Sequence, residues 1–278
     1  MVEISVVIPS YKPDTYIFEC LESLRMQTLS PQLIEVIVVL NGCNDPYFAE
    51  LKVYEEEIKG QLKLRLFQID KGGVSNARNF AMQLAHGRFI TFIDDDDNVS
   101  PTYLEEMYKV ALTGAIPASN IIAFSEGANN GQPYFISDAY QRVKGKGAQP
   151  IMQMRSYMSV VYCKLIPKEL LDNRFFDTRF ANGEDCLFMT MMSDRIKSLT
   201  PTAETAIYYR RLRAGSAVTR KMAFKERAWN SIILSLAYIW LFMKHPFSYN
   251  PIFFGTRVIA SLRGMIKQYD TYQEYYIL

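Results

Sequence analysis

The sequence predicts an α/β protein: a mostly parallel sheet flanked by helices, followed by a C-terminal helical extension. Three observations carry the prediction. Apolar runs without polar alternation, such as ISVVI (Ile4 to Ile8) and IEVIVVL (Ile34 to Leu40), mark strands buried on both faces, as in parallel sheets. Stretches with helical spacing of apolar residues lie between such runs. From about Lys221 the chain changes to long apolar and basic segments.

The first strand is stopped by Pro9, and Tyr16 to Met26 has helical spacing through Ile17, Cys20, Leu21 and Leu24. The second strand ends in the turn-forming NGCND. A third apolar run covers Leu62 to Ile69, a helix is expected from Val74 to Ala85, and Arg88 to Ile93 reads as a further strand. The Gly-, Asn- and Lys-rich stretch Ser125 to Pro150 reads as a long connection or lid. Beyond it, Val160 to Ile166 reads as a strand and a helix begins near Glu184.

In the tail, Ile232 to Met243 is almost wholly apolar, but a dozen helical residues span only about 18 Å, short of a bilayer's hydrocarbon core. Ile252 to Lys267 mixes apolar residues with Arg257, Arg263 and Lys267, a pattern that suits either a membrane surface or packing against the body or a second subunit. These shifts divide the chain into an α/β body, residues 1–220, and a helical extension, residues 221–278.

Composition narrows the function. The 278 residues carry a formal net charge of +2, which argues against nucleic acid as a general partner. Four scattered cysteines without a CxxC pair and two distant histidines argue against zinc. The N-terminal MVEISVVIPSYK lacks the pattern of a secretory signal, so a cytoplasmic location is expected.

The sharpest feature is ITFIDDDDN, where a strand runs into four aspartates, Asp94 to Asp97. Adjacent carboxylates repel and need a cation, hydrogen-bond donors or full solvation. In doubly wound sheets ligands gather at the carboxyl ends of strands, and PSYKPD, NGCND and DDDDN all fall there. Aspartates so placed suit a hard divalent cation, Mg²⁺ or Mn²⁺, beside substrate phosphates. The dinucleotide and Walker patterns are absent, since KGGVSNARN lacks GK[ST].

The segments VVIPSYKPDTYIFECLESLRMQT, EVIVVLNGCND, GGVSNARNFAMQLAHGRFITFIDDDDNVSPTYLEEM, GEDCLF and YYRRLRAGS resemble, in order and spacing, the motifs of family 2 glycosyltransferases with the glycosyltransferase A fold. The resemblance covers roughly Val2 to Arg220. It implies an inverting transfer of a sugar from a nucleotide-diphosphate sugar, UDP-sugar favoured, to an acceptor hydroxyl in surface polysaccharide or glycolipid synthesis. It also implies Asp185 as general base. Asp96 and Asp97 would then be metal ligands, with Asp94 supporting. Pro9, Tyr11, Asn41, Arg78, Asp94, Asp96 and Arg211 would contact the donor. Arginine suits bidentate phosphate recognition, so Arg210, Arg211 and Arg213 with Ser216 read either as a phosphate-facing lid or as an exposed basic strand. The implied partners are the donor, a glycan or lipid-linked glycan acceptor, the inner face of the cell membrane and a second subunit. One departure is LNGC at the second strand end, where many relatives carry two acids: Asn41 can still hydrogen-bond a base, Leu40 cannot. A non-catalytic nucleotide-sugar-binding subunit is the alternative reading.

Overall fold

The computed structural model describes residues 1–125, 131–213 and 223–266. In chain order the first half runs β1 (Ile4–Ser10), α1 (Tyr16–Arg25), β2 (Ile34–Asn41), α2 (Tyr47–Glu57), β3 (Leu64–Ile69), α3 (Val74–Leu84), β4 (Phe89–Phe92), β5 (Asn98–Val99), α4 (Tyr103–Ala111), β6 (Pro117–Ala118) and β7 (Asn120–Ser125). The second half runs β8 (Gln132–Pro133), α5 (Ser137–Val143), β9 (Gln149–Pro150), β10 (Ile166–Pro167), α6 (Lys168–Leu171), α7 (Glu184–Met191), β11 (Ser198–Pro201), β12 (Ile207–Leu212), α8 (Phe224–Lys244) and α9 (Pro251–Ile266).

The main sheet has the order β10-β4-β1-β2-β3, parallel except for β10. Every residue of β1 and β2 is buried, as their unbroken apolar runs require, and each large aliphatic side chain so buried contributes about 1.5–3 kcal/mol. On α1 the stripe Ile17, Cys20, Leu21 and Leu24 faces the core. On α3, which packs against β1 and β2, the small residues Ala77 and Ala81 let the helix lie close to the sheet, and Arg78 lies buried beside them.

Among the described residues there are two smaller sheets, β5-β12-β7-β8 and β6-β11-β9. Because β5 follows the aspartates directly and pairs with β12, the acidic run bridges the main sheet and the second one.

At the end of the main sheet opposite the aspartates, Glu35 is fully buried near the start of β2. It accepts bonds from Ser5 Oγ (2.6 Å), the His86 backbone N–H (2.6 Å) and Arg65 (2.9 Å).

Several expectations need correction. Val160 to Ile166 is not a strand: Cys163 has φ +61°, which breaks an extended course, and only Ile166–Pro167 pairs with β4. The buried Lys164 ammonium there donates to the carbonyls of Tyr157 (2.8 Å) and Tyr162 (2.9 Å). The stretch Ser125 to Pro150 is not a bare connection, since α5 and two short strands lie within its described part. Helix α2 was not expected from the sequence; its apolar stripe is thin, with Leu51 its one buried residue.

Candidate functional site

Parallel strands deliver their carboxyl ends to one edge, so Ser10, Asn41 and the residues after β4 meet there. Pro9 is buried inside β1, and Tyr11 projects beyond it, 56% exposed. Asn41 is buried between the loops: its amide donates to the Ser10 carbonyl (2.6 Å) and its carbonyl accepts from Gly73 N–H (2.7 Å). Gly42 (φ +64°) and Gly72 let the adjoining loops touch, because a Cβ on Gly42 would stand 2.8 Å from Gly72 Cα.

Each of the four aspartates finds a partner within the chain. Asp94 accepts from Arg210 (2.5 Å) and Arg78 (3.1 Å). Asp95 accepts from Ser10 Oγ (2.6 Å), and Asp96 pairs with Arg213 (2.7 Å). Asp97, wholly buried, accepts from Tyr208 (2.6 Å), from Arg210 (2.8 Å) and from the Arg211 backbone N–H (2.8 Å). Carboxylate oxygens of Asp94, Asp96 and Asp97 all lie within 4.8 Å of one another.

Burial works against charge here, and the arginines decide where it is relieved. For Asp94 burial alone would raise the pKa, but Arg210 and Arg78 outweigh it and hold the group below its ordinary value. Burial dominates for Asp95 and Asp97, both pushed up to about 7, with Ser10 and Arg210 respectively opposing it and the neighbouring aspartates adding to it.

Arg78 also reaches the second acidic element. Its Nη1 donates to Asp185 Oδ1 at 2.6 Å and lies 3.6 Å from Glu184, while its guanidinium sits over the Phe176 ring. Asp185 stands in the first turn of α7, whose cap is Gly183 at φ +84°. Burial raises the pKa of Asp185, with Arg78 pulling against it, and raises Glu184 to about 8. A partly desolvated carboxylate of that kind is a stronger base than one in water.

Arg211 is turned inward. Its side chain donates to the Asp96 carbonyl (2.9 Å) and pairs with Glu19 (2.5 Å), between the rings of Tyr16 and Phe124. Arg213 is the most exposed of the three arginines, and Ser216 falls outside the described residues. The sequence points to β12 as a source of phosphate ligands. The structure adds its grip on Asp97 through Tyr208 and Arg210, whose signal is that residues two apart share one face of a strand and polar residues on a buried face need a partner.

Residues 5–175 match the model of the family described as glycosyl transferase family 2. The chain is 37% identical over 108 residues to the putative glycosyltransferase EpsH of Bacillus subtilis, covering 39% of this chain and 30% of that protein. It is 31% identical over 106 residues to the poly(ribitol-phosphate) beta-N-acetylglucosaminyltransferase TarS of Staphylococcus aureus, covering 38% of this chain and 18% of TarS. These matches span less than a third of either relative. The fold is that of TarS residues 1–349 solved with UDP-GlcNAc, at TM-score 0.69 and 22% identity, over 86% of this chain and 66% of that one. It is also that of the mannosyltransferase PcManGT of Pyrobaculum calidifontis, solved with GDP-Man and Mn²⁺, at TM-score 0.64 and 16% identity, over 95% and 73%.

Proposed function

The chain belongs to glycosyl transferase family 2, and from that premise we propose that it transfers a sugar, with inversion, from a UDP-sugar to a hydroxyl of a glycan or lipid-linked glycan in surface polysaccharide synthesis. One observation carries the reading: a single buried arginine, Arg78, joins the Asp185 carboxylate to the aspartate run, so an acceptor-side base and a diphosphate-side acidic cluster stand on either side of one cation. The acceptor oxygen bonds to the anomeric carbon as the bond from that carbon to the diphosphate breaks. Asp185 receives the hydroxyl proton.

A divalent cation fits the aspartate run, because three carboxylates there offer hard oxygen donors within one small volume. When bound it would neutralise charge on the departing diphosphate. Asp96 and Asp97 are the ligands in this reading. Asp96 is the readier, since its partner Arg213 is half-exposed, whereas Asp97 would have to share oxygens already bonded to Tyr208 and Arg210. Pro9, Tyr11, Asn41, Arg78, Asp94, Asp96 and Arg211 shape the donor side, with Arg78, Asn41 and Arg211 acting chiefly by holding its walls. A UDP donor is supported by the TarS complex, a cation by PcManGT, and a polymeric acceptor by the name of TarS, a poly(ribitol-phosphate) beta-N-acetylglucosaminyltransferase.

The division into a catalytic body to residue 220 and a helical extension from 221 belongs to the same proposal. So does a place at the inner face of the cell membrane. Titration calorimetry of UDP, GDP and dTDP with and without Mn²⁺ tests it. Metal-dependent binding of UDP is expected; no binding of any of the three would sink it.

A further inference from the structure

Residues 223–266 carry eleven of the eighteen large apolar side chains that are exposed among the described residues. On α8 they form a seam: Trp229, Ile232, Leu236, Ile239 and Met243 recur at alternating intervals of three and four, with Trp240 beside them. That spacing keeps them on one face of a helix about 32 Å long. The opposite face, with Ser231, Leu234, Ser235 and Tyr238, is buried against the body and α9.

The same segment is poor in acids. It holds five lysines and arginines, Lys225, Arg227, Lys244, Arg257 and Arg263, against the single acid Glu226. Lys225, Lys244 and Arg263 are exposed, and the Lys244 ammonium sits 4.5 Å from the centre of the Trp240 ring. Two copies meeting through this face would bring like charges together, without the paired charges of opposite sign that flank helix–helix seams. Exposed tryptophans with a cationic margin suit instead the boundary between lipid headgroups and acyl chains. No described helix is long and apolar enough to cross a membrane, so the hairpin would lie on the surface.

We propose that the outer face of the α8–α9 hairpin docks on an anionic lipid bilayer, deepening the functional reading above, on which the lipid-linked acceptor rests. The hairpin is also seated on the base-bearing helix. Leu234 lies against the Gly183 cap of α7, where an added Cβ would come within 2.7 Å of its Cδ2, and Asn230 reaches the Asn182 carbonyl at 3.5 Å. A bilayer under α8 would therefore hold Asp185 at a set height above the lipid.

Co-sedimentation of the full chain with vesicles of phosphatidylcholine, alone or mixed with phosphatidylglycerol, tests the proposal. Binding to the anionic vesicles only, released by salt, is expected. The triple variant Trp229→Ser, Leu236→Ser, Trp240→Ser should lose it, and Lys244→Ala should weaken it about fivefold, the worth of one cation near such a surface. All four positions are exposed, and an unchanged unfolding temperature checks that the fold survives. Failure of the unaltered chain to sediment, retention by the triple variant, or a dimer in light scattering that the triple variant splits without any vesicle binding would each overturn the proposal. Nucleotide titration on the same preparations reports separately on the donor reading, so loss of one leaves the other standing.

Discussion

Arg78 and Asp185 lie 107 residues apart in sequence and 2.6 Å apart in space, and the same guanidinium holds Asp94 at 3.1 Å. Removing one partner of a buried ion pair leaves the other without compensation, typically at about 3–5 kcal/mol. Arg78→Ala should therefore lose stability on that scale together with activity, while Arg78→Lys, which keeps the charge but not the fork, should recover part of the stability and less of the turnover. Denaturant unfolding alongside turnover checks both; an unchanged midpoint for Arg78→Ala would refute the account.

If Asp185 takes the acceptor proton, Asp185→Asn should lower kcat by about 10²–10⁴-fold while nucleotide affinity stays near its original value. A turnover assay beside calorimetry separates the two. Unchanged kcat would remove the assignment.

The aspartate run gives a metal expectation. Replacing Asp96 by Asn should weaken Mn²⁺-dependent UDP binding at least about tenfold, the lower end of what even a supporting residue of a metal site costs. Chelator should do the same to the unaltered protein. Equal binding with and without Mn²⁺ would show that the arginines suffice.

Glu35 sets an acid limit on stability. Burial alone would raise its pKa, but the bonds from Ser5, His86 and Arg65 prevail and bring it down to about 2 from an ordinary 4.5. A carboxyl lower in the folded state stabilises above the unfolded value and loses that contribution as pH falls from about 5 toward 2, here on the order of 3 kcal/mol. Glu35→Gln should flatten that limb in pH-dependent unfolding. A limb of equal slope in the variant would place the acid sensitivity elsewhere.

Gly183 offers a test of the α7 cap. An alanine there meets both the positive φ and the Leu234 side chain, so Gly183→Ala should cost about 1–3 kcal/mol and shift Asp185. Pairing it with Leu234→Ala should return only the steric part.

Much of this was legible in the sequence for a plain reason. Strands buried on both faces are mostly apolar, with the few polar residues they hold paired, as Ser5 is with Glu35, so β1 and β2 announce themselves, and the polar residues that follow them lie at the sheet edge where the aspartates gather. Asp185 and Arg78 were marked by family motifs, yet nothing local to either shows that they touch, because their contact depends on α3 and α7 meeting across the sheet edge. The strand expected over Val160 to Ile166 failed because apolar content says nothing about the left-handed turn at Cys163. Tyr208 and Arg210 were hidden for a similar reason: a strand that looks exposed and basic becomes an inner wall once β5 and β7 pair on either side of it.

The internal pairing of all four aspartates has a consequence for the order in which ligands arrive. A cation taking the Asp96 oxygen that Arg213 holds would displace that arginine, and a displaced arginine beside a diphosphate has somewhere better to go. Metal and nucleotide would then each clear the other's place, so that either one alone binds weakly and the two together bind tightly. The coupling must be the same measured from either side: the factor by which Mn²⁺ tightens UDP equals the factor by which UDP tightens Mn²⁺. In that reading the pairing of aspartates with arginines would act as a gate against metal without substrate.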